Sequence, residues 1–396
     1  MSWKVSLQNR QLALGERLDK LQDTLQDKKT KFKKQLRNKY KKLFGGIRPV
    51  PFLREKYNIE KLYVESEIKF LEDSQGGGNH DRQKWTRLSS YKKIFTDSRV
   101  KSKRYIVDGE PGIGKSTLAL RITHDWCLET SPMDDFEIVI LLRLRQCKKS
   151  PSFYSAIKQQ LLPKDSKLSE NDIENILNGS TTLVILDGYD EFPGKGSGET
   201  NIEDIITGEM LPDCDVILMT RTSCLPEDVS CETMRIRMWG FENAARHTYI
   251  RNVVARGDAE KAGKINQLLN ENPVIGGLCT IPLFFVMISY LIYENESCRN
   301  LRSSTELLRL VVACFHGHDE IKKTDENKRN DRKLAKDHHK LDKVAFEGLS
   351  GDIQQTSWKR DKIRGRIGDD FYDDCVRVGI LIEDDVFDFD TIEYKT

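Results

Sequence analysis

Between Tyr105 and Thr220 the chain alternates short, unbroken apolar runs with stretches whose apolar residues recur at helical spacing. The runs predict strands at Tyr105–Asp108, Glu137–Leu144, Leu183–Asp187 and Val216–Thr220. The helical spacings predict helices at Lys115–Leu128, Phe153–Leu162, Glu170–Leu177 and Ile202–Glu209. A strand apolar at nearly every position is buried on both faces. Strands of that kind alternating with helices describe an α/β fold, a parallel sheet with helices on both faces. From Gly240 to Tyr293 the pattern turns helical. No internal repeat is visible.

The flanks read differently. Residues 3–43 predict one long helix, with Leu7, Leu14, Leu18, Leu21, Leu25 and Phe32 on heptad positions. That is about three heptads, enough to suggest a coiled coil or a helical hairpin. Gly45-Gly46 and Pro49 to Pro51 end it. Leu62-Tyr63-Val64 is strand-like, Ile68 to Leu71 is amphipathic, and Gly76-Gly77-Gly78 marks a loop. Residues 316–343 are highly charged and predict an exposed loop or helix margin, Leu341–Leu349 has helical spacing, and Val376–Val386 suggests short strands.

Composition changes this picture in three places. Charged residues make up 32% of the 396 positions and nearly cancel at +2, but Lys28 to Lys42 holds nine basic residues and no acid. That run is either a surface for anionic partners or a solvated face of a helix packed on the main body. Nine cysteines lie scattered without C-x-x-C spacing, which points to reduced thiols in the cytoplasm, and no zinc site is indicated. Met1–Arg17 lacks the apolar core of a secretory signal. The apolar stretch Val274–Tyr293 rivals a membrane span in length. Pro282 splits it into a turn and a helix of about a dozen residues, so a buried helix is expected instead.

The candidate chemistry sits at the ends of the predicted strands. Gly109-Glu110-Pro111-Gly112-Ile113-Gly114-Lys115-Ser116-Thr117 joins a buried strand to a helix and matches a phosphate-binding loop. Its glycines let backbone N–H groups turn toward phosphate oxygens at a helix N-terminus. Lys115 would reach the β/γ-phosphates, and the Ser116 hydroxyl would ligate Mg²⁺. Asp187, at the tip of an apolar strand, is placed to complete the Mg²⁺ shell. Asp190 and Glu191 follow it, and one of them would orient or deprotonate an attacking water. Thr220 and Arg221 end the next strand, where they would sense the γ-phosphate.

These residues resemble the NACHT domains, the signal-transducing P-loop ATPases (STAND class) of NOD-like receptors. The resemblance runs from about Lys103 to the C-terminus. It rests on the GEPGIGKSTLA loop with Trp126-Cys127, on LDGYDE from Leu186, on LMTRTS from Leu218, on Gly240-Phe241, and on Leu278-Cys279-Thr280-Ile281-Pro282-Leu283. It implies ATP or ADP with Mg²⁺ as ligands, and Pro282 packed near the adenine. Tyr63-Val64-Glu65 is similar to a preceding segment that helps cover the base. The implied organisation is an N-terminal heptad and basic helix over 1–48, a preceding segment over 49–102, the nucleotide-binding domain over 103–240 and a helical subdomain over 241–315. A charged loop and the start of a winged helix, carried by Leu341–Leu349 and Arg377–Ile382, would occupy 316–396. No death-fold block precedes the domain and no sensor repeats follow Thr396, so the sequence reads as a fragment, a truncated product or a short member.

The leading expectation is therefore an ATP/ADP-binding switch whose slow hydrolysis controls homo-oligomerisation in innate immune or cell-death signalling. Its effector partner is unspecified, and neither a membrane span nor nucleic acid is expected to be involved. Two alternatives remain: a P-loop ATPase or kinase with fast turnover, and a basic coiled-coil scaffold that binds nucleic acid or a membrane surface.

Overall fold

The computed structural model describes residues 24–47, 49–50, 56–72, 84–147, 150–196, 198, 200–271, 273–294, 338–348, 350, 358–378 and 381. The expected heptads before Thr24, the Gly76–Gly78 loop and the charged stretch up to residue 337 lie outside these. The chain divides into two compact units, described separately. One runs to Ile47 and adds Tyr57–Tyr249 and Thr280–Leu283; the other holds Arg48–Lys56, Ile250–Cys279 and the residues from Phe284 on.

The first unit is built on a seven-stranded sheet. In chain order its strands are β1 (Glu67–Glu72), β2 (Lys84–Leu88), β3 (Arg104–Asp108), β4 (Ile138–Arg143), β5 (Thr182–Asp187), β6 (Asp215–Thr220) and β7 (Met234–Gly240). Their spatial order is β2-β1-β7-β3-β6-β5-β4. The strands from β7 to β4 pair in parallel, whereas β1 pairs antiparallel with both β7 and β2. The expected parallel sheet is thus the major part of a mixed one. β3 is buried at every position, and β5 and β6 at all but one, so both faces of the central sheet are covered.

The helices of this unit are α1 (residues 24–44), α2 (Ile59–Leu62), α3 (Lys93–Thr96), α4 (Lys115–Cys127), α5 (Phe153–Leu161), α6 (Glu170–Asn178), α7 (Ile202–Thr207) and α8 (Asn243–Tyr249). Ser152 and Ser169 cap α5 and α6 through their hydroxyls, the latter in a reciprocal pair with Asp172. The strand expected at Leu62-Tyr63-Val64 is absent. Asn58 caps a helical turn there instead, and the amphipathic Ile68–Leu71 becomes β1, with Ile68 and Phe70 buried at period two.

Residues 24–44 do not continue the heptad phase. Leu25 is exposed, while Phe32, Leu36, Tyr40 and Phe44 form a buried stripe at four-residue spacing. The stripe joins the main core, where Tyr40 meets Trp126 edge-on at 6.1 Å. The basic run therefore includes side chains that grip the body: Lys28 pairs with Asp172 at 2.7 Å, Lys29 with Glu137 at 2.6 Å and Arg37 with Glu129 at 2.6 Å. The Tyr40 hydroxyl seals the outer edge of β4, donating to the Val139 carbonyl (3.1 Å) and accepting the Leu141 N–H (2.9 Å). Burial pushes its pKa far up, so it stays a neutral donor.

The second unit is helical: a π-turn at Ile250–Val254, α9 (Ala259–Glu271), α10 (Pro273–Leu278), the body of α11 (Pro282–Glu294), α12 (residues 338–348), α13 (Arg360–Ile367) and α14 (Asp369–Val378). In α11 Phe285–Ser289 and Tyr290–Ile292 are buried. Among the described residues no helix is long and apolar enough to cross a membrane. Val344, Ile363, Ile367, Phe371, Tyr372 and Cys375 form a separate small core. The strands expected from Val376 give way at their start to α14, because Phe371, Tyr372 and Cys375 share one helical face with that core; residues 382–386 lie outside the described ones.

Tyr40→Phe keeps the ring but leaves the buried Leu141 N–H without its acceptor. It should cost about 1–3 kcal/mol, read as a lower urea midpoint with unchanged slope. An unchanged midpoint would show that the hydroxyl contributes nothing to edge sealing.

Candidate functional site

Parallel register brings four strand tips to one level: Asp108 lies opposite Thr220, Asp187 opposite Met219, and Arg143 opposite Asp187. Out of β3 the loop Gly109–Gly114 turns into α4. Gly112 (φ +76°) and Gly114 (φ +104°) hold left-handed backbone that other residues resist, and a Cβ on Gly112 would come within 2.9 Å of Leu283 Cβ. Lys115 folds back over the loop, its Nζ donating to the carbonyls of Gly109 (2.6 Å) and Glu110 (3.2 Å). Burial lowers the Lys115 pKa, while Asp190 opposes that shift. Glu110, Pro111 and Gly112 are exposed, Ile113 is buried and Thr117 half-buried.

Ser116 Oγ donates to Asp187 Oδ1 at 3.0 Å, so α4 and β5 meet at the two predicted metal ligands. Burial raises the Asp187 pKa, and the Ser116 hydrogen bond is the first influence opposing it. Gly188 (φ +85°) then reverses the chain, its N–H bonded to the Met219 carbonyl at 3.1 Å, and Tyr189–Glu191 form a 3₁₀ turn. Arg221 Nε lies 2.6 Å from Asp190 Oδ2, and its Nη2 lies 3.7 Å from Glu191 Oε1. The buried Thr220 hydroxyl donates to the Cys224 carbonyl at 2.8 Å, bracing the turn that follows β6.

The residues present suit a magnesium-bound triphosphate. A hydroxyl and a carboxylate, both hard oxygen donors, already converge at Ser116 and Asp187. The Lys115 ammonium rests on two loop carbonyls that phosphate oxygens would replace.

Beside the loop lies an apolar wall. A Cβ on Gly240 (φ +93°) would meet the Thr280 carbonyl at 2.5 Å, Ile113 Cδ1 at 3.2 Å and Pro282 Cδ at 3.2 Å. Pro282 is buried there, Met238 lies against Gly109, and the Leu283 N–H donates to the Gly112 carbonyl at 3.2 Å. Ser66, just before β1, lies 4.0 Å from the position of a Gly114 Cβ.

Sequence reasoning missed several polar groups. Asp108, fully buried at the tip of β3, pairs with Arg235 (2.7 Å) and Arg237 (2.9 Å) of β7, both stacked on Trp85. No local signal marks this pairing, because Arg235 and Arg237 lie more than a hundred residues after Asp108. Asp125 of α4, also buried, accepts from the Tyr91 hydroxyl and pairs with Arg121 Nε at 3.0 Å. Arg145, after β4, reaches within 3.9 Å of Glu191 Oε2.

Comparison with known proteins adds a family. Residues 103–256 match the model of the NACHT domain. NLR family CARD domain-containing protein 4 of Xenopus tropicalis is 29% identical over 205 residues, covering 51% of this chain and 20% of that protein. Protein NLRC5 of Mus musculus is 24% identical over 279 residues, covering 64% and 14%. NACHT, LRR and PYD domains-containing protein 10 of Homo sapiens is 24% identical over 228 residues, covering 53% and 34%. The chain thus spans about a third or less of each of these relatives. Among solved structures, PCH-2 of C. elegans aligns with a TM-score of 0.31 and 9% identity over 56% of this chain and 62% of that one, too remote a likeness to argue from.

Asp108→Ala would leave two cations against a buried strand tip. Both arginines are about a quarter exposed, so the loss should be about 2–4 kcal/mol. The melting temperature would fall by roughly 5–10 °C; a change under about 2 °C would mean that water already satisfies the pair.

Proposed function

Since residues 103–256 make this chain a NACHT-domain protein of the NOD-like receptor kind, we propose that it is an ATP/ADP-binding switch in innate immune or cell-death signalling. Slow, Mg²⁺-dependent hydrolysis controls whether it associates with further copies of itself. The observation that carries this reading is the Ser116–Asp187 contact at 3.0 Å beside the Lys115 loop. The division into a basic helix, a preceding segment, a nucleotide domain, a helical subdomain and a winged-helix start belongs to the same proposal, as does a cytoplasmic location.

Each residue then has a physical task. Lys115 leaves the Gly109 and Glu110 carbonyls for the phosphate oxygens, exchanging neutral acceptors for charged ones. Ser116 and Asp187 hold Mg²⁺, which when bound neutralises charge on the β- and γ-phosphates. Asp190 or Glu191 orients the attacking water, and Arg221 faces the charge that develops on the γ-phosphate. Ile113, Met238 and Pro282 supply an apolar wall for the base. Because the Leu283 N–H holds the Gly112 carbonyl, a change in the loop is felt at the first turn of α11. A switch of this kind works only if the triphosphate state outlives its partner-binding step, hence the slow turnover.

Native mass spectrometry of the chain with Mg²⁺ and ATP or ADP reports bound nucleotide and assembly together. Lys115→Ala should weaken binding by at least about 100-fold and remove any nucleotide-dependent assembly; retained affinity would refute the site. Either Glu191→Gln or Asp190→Asn should slow single-turnover hydrolysis by about 100-fold or more while nucleotide still binds. If neither does, the acid pair is structural.

A further inference from the structure

The two acids that follow Asp187 are held in different ways. Asp190 is gripped tightly, 2.6 Å from Arg221 Nε and with its side chain only 10% exposed. Glu191 is 39% exposed and stands between two looser cations, Arg221 Nη2 at 3.7 Å on Oε1 and Arg145 Nη1 at 3.9 Å on Oε2. A carboxylate tied up in a short, charge-assisted bond is a poor proton acceptor. One held at longer range keeps lone pairs free for a water.

Arg145 reaches this position from a braced turn. β4 ends at Arg143 and a 3₁₀ turn spans Leu144–Gln146. Gln160 of α5 clamps the strand tip from both sides: its Oε1 accepts the Arg143 N–H (3.0 Å) and its Nε2 donates to the Arg143 carbonyl (3.1 Å). The same amide donates to Cys147 Sγ at 3.2 Å, and Leu144 and Cys147 are buried on either side of Arg145. A surface arginine on a mobile loop needs no such support.

We propose that Arg145 is a positioning residue for hydrolysis: paired with the second oxygen of Glu191, opposite Arg221, it holds that carboxylate toward the attacking water and makes Glu191, rather than Asp190, the base. This rests on the ATP-hydrolysing reading above. The charged groups that face Glu191 are Arg145, Arg221, Asp190 and Asp187. Burial pushes the Glu191 carboxyl above its ordinary range, Asp190 and Asp187 push it further, and Arg145 leads Arg221 in pulling it back. Removal of the Arg145 charge therefore raises the Glu191 pKa. A base must be ionised, so the acid limb of the rate profile moves to higher pH.

The test begins with the nucleotide-free full chain carrying carboxyl-¹³C glutamate, the Glu191 resonance being the one lost in Glu191→Gln. Arg145→Gln should raise its titration midpoint by about half a unit to one unit, and Arg145→Lys should restore most of the difference. The acid limb of single-turnover ATP hydrolysis should move by the same amount. The rate would fall about three- to tenfold on that limb, with little change on the alkaline plateau and ADP affinity kept within about twofold. An unmoved midpoint, or a moved midpoint with a fixed limb, overturns the proposal. A wild-type chain that binds no nucleotide refutes the ATPase reading instead, and the apo titration still decides the Arg145–Glu191 pairing. Binding without any hydrolysis overturns the assignment of Glu191 as base.

Discussion

The register of the parallel ladder β3-β6-β5-β4 is the constraint on which the rest depends. Each strand is apolar through its middle and ends on a polar group where it leaves the sheet; β3, β5 and β6 also open on one, at Arg104, Thr182 and Asp215. With both faces buried, a slip of one residue would draw a polar end group into the apolar sheet and carry the tip groups away from one another. Hydrophobic burial thus does the aligning. The polar contacts at the rim, with Ser116 on Asp187 and Arg221 on Asp190, are made between groups already brought level.

Most of that ladder was legible in the sequence, because fully buried strands and amphipathic helices leave strong periodic traces. The loop at Gly109–Thr117 was legible as well, its neighbours being an unmistakable strand and helix. The antiparallel margin was not. Lys84–Leu88 is a strand only because β1 lies beside it, and β1 in turn depends on β7. In β7, Arg235 and Arg237 interrupt the apolar pattern, and their place in the sheet depends on Asp108, more than a hundred residues earlier. No local window contains that pairing. Pro282 had no physical signal of its own; its contact with Gly240 arises from close backbone approach at a glycine with positive φ.

Charge in this protein is used more for geometry than for bulk attraction. Residues 28–42 look like a free cationic surface, yet Lys28, Lys29 and Arg37 each end on an acid of the body. Exposed pairs of this kind add little stability; burial of Phe32, Leu36 and Tyr40 supplies most of what holds the helix. Of the two buried aspartates, Asp108 fastens the tip of β3 beside the loop, and Asp125, in the last turn of α4, holds the far end of the helix that follows it.

The helix formed by residues 24–44 occupies the side of β4 that no other strand among the described residues takes, and Tyr40 answers both an N–H and a carbonyl there. The familial match starts only at residue 103, yet the sheet it describes is not closed without a segment some sixty residues upstream. Trimmed to the matched region, the polypeptide would present an open, apolar ladder edge, the kind of template along which chains zip into aggregates. The outer edge of this sheet is therefore covered by chain that lies in front of the family boundary.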